Sequence, residues 1–143
     1  MREALFVAAS VALVSMPAVA QTPRAYSCEV ANVYELSDGG ALQSQSGGGL
    51  AGKKGDRFRI DIKTGEMTGT VPFISRFWPR ISVLDSGTSS SGSFLKVMYS
   101  SPPDGEFVNV AFLQIQGTVQ NPSRPFVCED SAWLYSGVCR VAF

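Results

Sequence analysis

The stretch RFRIDIK, Arg57 to Lys63, alternates without exception: Phe58, Ile60 and Ile62 are apolar, and Arg57, Arg59, Asp61 and Lys63 are charged. A period of two puts all three apolar side chains on one face, which is the pattern of a half-buried β-strand. Thr64-Gly65-Glu66 follows, with Gly65 free to take the positive φ of a tight turn, and Met67 to Val71 is expected to return as the second arm of a hairpin. The same period recurs along the chain. Strands are expected at Cys28 to Leu36, Ile81 to Asp85, Phe94 to Tyr99, Phe107 to Gln116, Pro125 to Glu129 and Gly137 to Phe143. Phe107 to Gln116 is apolar on both faces over its first half and is therefore expected to lie centrally.

No window of a dozen residues beyond the N-terminus has apolar spacing of three and four with caps, so no long helix is expected there. Short strands separated by Gly, Ser and Pro indicate an all-β fold, a small antiparallel barrel or sandwich of about eight strands. Gln43 to Asp56, which contains GGGLAG, and Ser86 to Ser93, SGTSSSGS, read as mobile loops at one end of the sheet.

The N-terminus gives an address. Met1-Arg2-Glu3 is short and polar, Ala4 to Met16 is apolar apart from Ser10 and Ser15, Pro17 breaks the run, and Ala18-Val19-Ala20 suits a signal peptidase. Residues 1–20 are read as a signal peptide. The apolar run, with its proline, falls short of the roughly 20 residues of a spanning helix, so no integral span is expected after processing. Residues 21–143 then form a single β domain that is periplasmic or secreted. Removing Arg2 and Glu3 takes one charge of each sign from twelve and twelve, so the mature chain stays formally neutral. No concentrated positive charge invites nucleic acid.

Histidine is absent. That removes the usual Ser-His and Cys-His pairs and most zinc sites, so neither a metal nor another cofactor is expected. GGGLAGKK, Gly47 to Lys54, has phosphate-loop spacing but lacks the flanking strand and helix that would aim backbone N–H groups at a phosphate. SFLK, Ser93 to Lys96, has the Ser-x-x-Lys spacing, but on a strand its ends point to opposite faces. Carboxylates remain. Asp61 with Asp85, or Glu66 with Asp104, would need to stand about 5 to 9 Å apart to flank a glycosidic bond. With no convergent site legible, an enzyme is not expected and no catalytic residue is assigned.

The contact surface expected instead is PFISRFWPR. Its Phe73, Arg76, Phe77, Trp78 and Arg80 are of the types enriched at binding hot spots, although large aromatics more often cap a core.

Three cysteines remain to be paired. Cys128 and Cys139 have a spacing a hairpin could bridge, while Cys28 with Cys139 would close a far longer loop; spacing alone leaves both open. The segments YSCEVANVYELSDGG, FRIDIKTGEMTG, SFLKVMYS and PFVCEDSAWLYSGVC together resemble a group of small exported bacterial proteins to which no activity is attached. That resemblance covers most of the mature chain and implies that Cys28 pairs with Cys139, leaving Cys128 as an odd thiol. Acidic neighbours at Glu129 and Asp130 oppose a reactive thiolate there.

The functional expectation is thus an exported, non-catalytic β domain of the cell envelope that binds a protein or other partner through end loops, with oligomeric state left open. YSCEV is also similar to the start of periplasmic lysozyme inhibitors, which are disulfide-stapled barrels, so inhibition of such an enzyme is one form of that expectation. A lipocalin-like carrier of a small ligand and a carboxylate-dependent hydrolase are the alternatives.

Overall fold

The computed structural model describes residues 24–46, 52–70, 80–86, 95–101, 110–117 and 121–143. They contain nine strands: β1 (Ala25–Leu36), β2 (Leu42–Gln45), β3 (Arg57–Asp61), β4 (Met67–Gly69), β5 (Arg80–Ser86), β6 (Leu95–Ser100), β7 (Val110–Ile115), β8 (Ser123–Asp130) and β9 (Trp133–Ala142). All pairings are antiparallel, in the order β4-β3-β1-β9-β8-β7-β6-β5, with β2 paired beside β3 along the same side of β1. The sheet curls into a half-barrel. Among the described residues no helix is long and apolar enough to cross a membrane.

Alternation sets the inner face. Phe58 and Ile60 of β3, Leu95, Val97 and Tyr99 of β6, and Ala111, Leu113 and Ile115 of β7 are buried; Arg57, Arg59 and Val110 are exposed. β7 lies inside the sheet between β6 and β8, third from the β5 edge rather than at its middle. These side chains join Tyr26, Cys28, Val30, Val33, Phe126, Cys128, Tyr135 and Cys139 in one continuous core. Phe58 and Phe126 meet edge to face with centroids 5.2 Å apart, a favoured aromatic geometry.

The β3–β4 hairpin helps to hold the curl. The Asp61 carboxylate accepts from the backbone N–H groups of Lys63 and Thr64, each at 2.8 Å, and Gly65 takes φ +73°. A Cβ at Gly65 would stand 2.8 Å from methyl carbons of both Ile81 and Val97, so this turn is seated on β5 and β6. The buried Tyr99 hydroxyl donates to the Gly65 carbonyl at 2.7 Å. Burial pushes the Tyr99 phenol well up, keeping it a neutral donor. Tyr99→Phe is expected to leave that carbonyl unpaired and lower stability by about 1–3 kcal/mol. Urea unfolding with an unchanged midpoint would show that the bond contributes nothing.

Several expectations shift. β1 starts at Ala25, before the cysteine, and β9 starts at Trp133, four residues before Gly137. The segment read as a mobile loop from Gln43 begins inside β2, which pairs with β1 from Val33↔Gln45 to Leu36↔Leu42. LQSQ has no apolar alternation to betray a strand; backbone pairing holds it, together with the Gln45 side-chain amide, which donates to the Glu35 carboxylate at 3.0 Å. The other end of that segment is tied down too. The Gly55 N–H donates to the Val30 carbonyl at 2.8 Å, the Val30 N–H to the Asp56 carbonyl at 2.9 Å, and Asp56 is buried. Residues 1–20, 47–51 and 87–93 lie outside the described set, as do Phe94, Asp104 and residues 107–109.

Candidate functional site

The first and last strands decide what faces where. Cys28 stands directly opposite Cys139 in the β1–β9 ladder, and the two form a disulfide across a sequence separation of 111. Cys128 sits on β8 opposite Leu113 and Tyr135, whereas Cys139 is opposite Arg124 on that strand. Four residues of β8, about 13 Å of extended chain, separate Cys128 from the level of Cys139, so those two cannot pair. The Cys128 thiol is buried and its pKa is pushed up by burial, then by Asp130 and Glu129. It is an inert core side chain. A disulfide fits an oxidising, non-cytoplasmic compartment.

With Cys28 and Cys139 inward, their neighbours must point outward. Ser27, Glu29 and Ala31 of β1, Val138 and Arg140 of β9, Arg57 of β3 and Ser123 of β8 line an open groove of about 600 Å³ on the outer face. Register extends its charge, because Ser27 is flanked by Arg59 on β3 and by Arg140 on β9. Both arginines are exposed. Glu29 is the carboxylate of the groove, and Arg57 takes it through Nε at 3.0 Å and Nη2 at 2.9 Å. That pair is largely in water, so it contributes little stability. Arg59 and Arg140 leave the patch net positive, beside the 42 % exposed side chain of Val138.

A fourth arginine lies on the inner face. Arg124 is 3 % exposed; its Nη1 donates to the Tyr26 hydroxyl, and its guanidinium lies 5.1 Å from the Tyr26 ring centroid. Its buried Nε has no partner.

The sequence-derived candidates fare unequally. Arg80 opens β5 opposite Ser100 and is exposed; Phe73, Arg76, Phe77 and Trp78 lie outside the described residues. Asp61 is committed to its own turn, and those backbone donors hold its carboxyl below the ordinary range. Glu66 is exposed in the same turn. Among the described residues no three Cys, Asp or Glu side chains gather as metal ligands. Among the described residues the inner face carries one continuous core of packed side chains.

The outer arginines and Arg124 were missed by reading motifs. Strand parity was the signal available: once 28 and 139 face inward, 27, 29, 138 and 140 face out, and Arg124 shares the parity of Phe126 and Cys128. Comparison with family models, with curated proteins and with solved structures finds no match for the chain. The functional reading therefore rests on these residues alone.

Proposed function

We propose that this chain is an exported, non-catalytic binding domain of the cell envelope, periplasmic or secreted, whose outer groove takes an acidic segment of a partner protein. One observation carries the reading: among the described residues Arg57, Arg59 and Arg140 share the outer face of the adjacent strands β3, β1 and β9 against a single groove carboxylate, beside an exposed valine. Arginine on a rigid sheet binds carboxylates with two parallel hydrogen bonds and little reordering. The disulfide behind the groove ties the two strands that supply most of its lining. The proposal moves the contact from the end loops, where the sequence alone put it, to the sheet itself.

Fluorescence anisotropy with a labelled Glu/Asp-rich peptide tests it. Saturable binding is expected to weaken at least tenfold in Arg59→Glu/Arg140→Glu and to fall with added salt, as exposed charge pairs are screened. A processed protein that binds the acidic peptide no better than a neutral one of equal length would refute the proposal.

A further inference from the structure

The inner-face arginine has an incomplete environment. Its strand begins one residue earlier at Ser123, and Asn121, Pro122, Ser123, Gln116 and Arg24 around that end of the half-barrel are all exposed. Arg124 thus lies just beneath the rim. Its stem runs over Gly117, where a Cβ would stand 3.3 Å from Cγ, so a larger residue there would crowd it. On the other side it reaches across β9 to Tyr26 on β1.

A guanidinium stays protonated in any folded protein, and burying a charge is costly unless it is paired and fully hydrogen-bonded. Here neither condition is met. No carboxylate of the described residues forms an ion pair with Arg124. Asp61 ends the strand beside Ala25 but spends its Oδ1 on the N–H groups of its own turn. Tyr26 supplies a ring face and one acceptor oxygen. Burial raises its pKa despite the adjacent arginine, so at neutral pH it is a phenol and supplies no negative charge. Nε remains a buried donor without an acceptor.

We propose that the Nε edge of Arg124 is one half of an anion seat at this end of the half-barrel, completed by an oxyanion, a carboxylate or a phosphate group, that enters over the Ser123 rim. Both groups match the fork of parallel N–H donors on a guanidinium edge. Tyr26 holds the opposite Nη1 corner and fixes the plane, so the free edge is presented in one orientation. The seat is separate from the outer groove: Arg124 and the groove arginines lie on opposite faces of the sheet.

The test uses the folded, oxidised protein labelled with ¹⁵N in arginine. A buried Nε–H exchanges slowly and gives a cross-peak, assigned by its loss in Arg124→Lys; the exposed groove arginines exchange quickly. Titration with formate and with inorganic phosphate, at constant ionic strength against chloride, is expected to move the Arg124 peak saturably with at least one of them. Which anion saturates first tells a carboxylate seat from a phosphate seat. A peak that neither anion moves overturns the proposal, whether or not the variant folds. As an independent readout, the saturating anion should raise the melting temperature of the wild type and not of Arg124→Met; an equal rise in both would also overturn it. Acidic-peptide binding at the groove should be unaffected by Arg124→Met, so failure of one site is distinguishable from failure of the other.

Discussion

Replacing Cys28 and Cys139 together by alanine is expected to lower stability by about 4–5 kcal/mol. The bridge closes a loop across 111 residues, and the chain-entropy model gives about 4.7 kcal/mol for a loop of a hundred. Most of this effect resides in the unfolded state, which becomes larger and freer when the tie is cut. Two measurements separate that account from a local packing loss. The melting temperature should fall by about 15–20 °C, at roughly 4 °C per kcal/mol for a domain of this size. The urea m-value should rise, because the unlinked chain exposes more surface. A comparable loss with an unchanged m-value would place the contribution in the native core, where both cysteines are buried. A loss under 1 kcal/mol would mean that the β1–β9 ladder, paired from Ala25↔Ala142 to Glu35↔Trp133, suffices to join the ends. Non-reducing peptide mapping of the wild type should recover residues 28 and 139 in one linked fragment and residue 128 as a free thiol.

How far these points were legible depends on whether a residue's setting is local. The β3–β4 hairpin could be read because RFRIDIK announces its own face and Gly65 marks the turn. Its seat on β5 and β6 could not, since Tyr99 lies 34 residues away and nothing in SFLKVMYS says that its hydroxyl seeks a distant carbonyl. β2 escaped because a strand held mainly by backbone pairing, with three of its four residues exposed, needs no apolar pattern. The cysteines show the limit most plainly. Spacing of 11 or 111 residues is neutral between two pairings, and only register decides, by setting Cys139 against Cys28 on one side and Arg124 on the other. Arg124 was hidden for a related reason. An arginine next to a proline looks like the edge of a loop, yet its parity with Phe126 and Cys128 turns it inward.

Gly137→Ala is the other change expected to have a large effect, about 3–5 kcal/mol, and it runs against the ordinary rule. Gly→Ala in a compatible backbone stabilises by about 0.4–1 kcal/mol through the unfolded state, and glycine inside a strand is usually a weakness. At Gly137 the methyl group has nowhere to go. Its carbon would lie 2.0 Å from the Glu29 carbonyl oxygen, 2.7 Å from the Phe126 ring and 3.0 Å from the Ala31 nitrogen. Two of those three atoms are backbone of β1, at the register shift between Val30 and Asn32 that brings this strand close. Overpacking against movable side chains costs about 1–3 kcal/mol; contact with the main chain of a ladder that a disulfide pins two residues away leaves less room to relax. Gly39→Ala, whose added carbon meets only the Ser37 hydroxyl at 3.9 Å, is the control and should be neutral or mildly stabilising. A double-mutant cycle with Phe126→Leu apportions the clash. Shortening the ring should recover only part of the Gly137→Ala loss, because the Glu29 carbonyl is still in the way. Full recovery would assign the constraint to the ring, and a Gly137→Ala protein within 1 kcal/mol of wild type would show that β1 and β9 stand farther apart than this close approach requires.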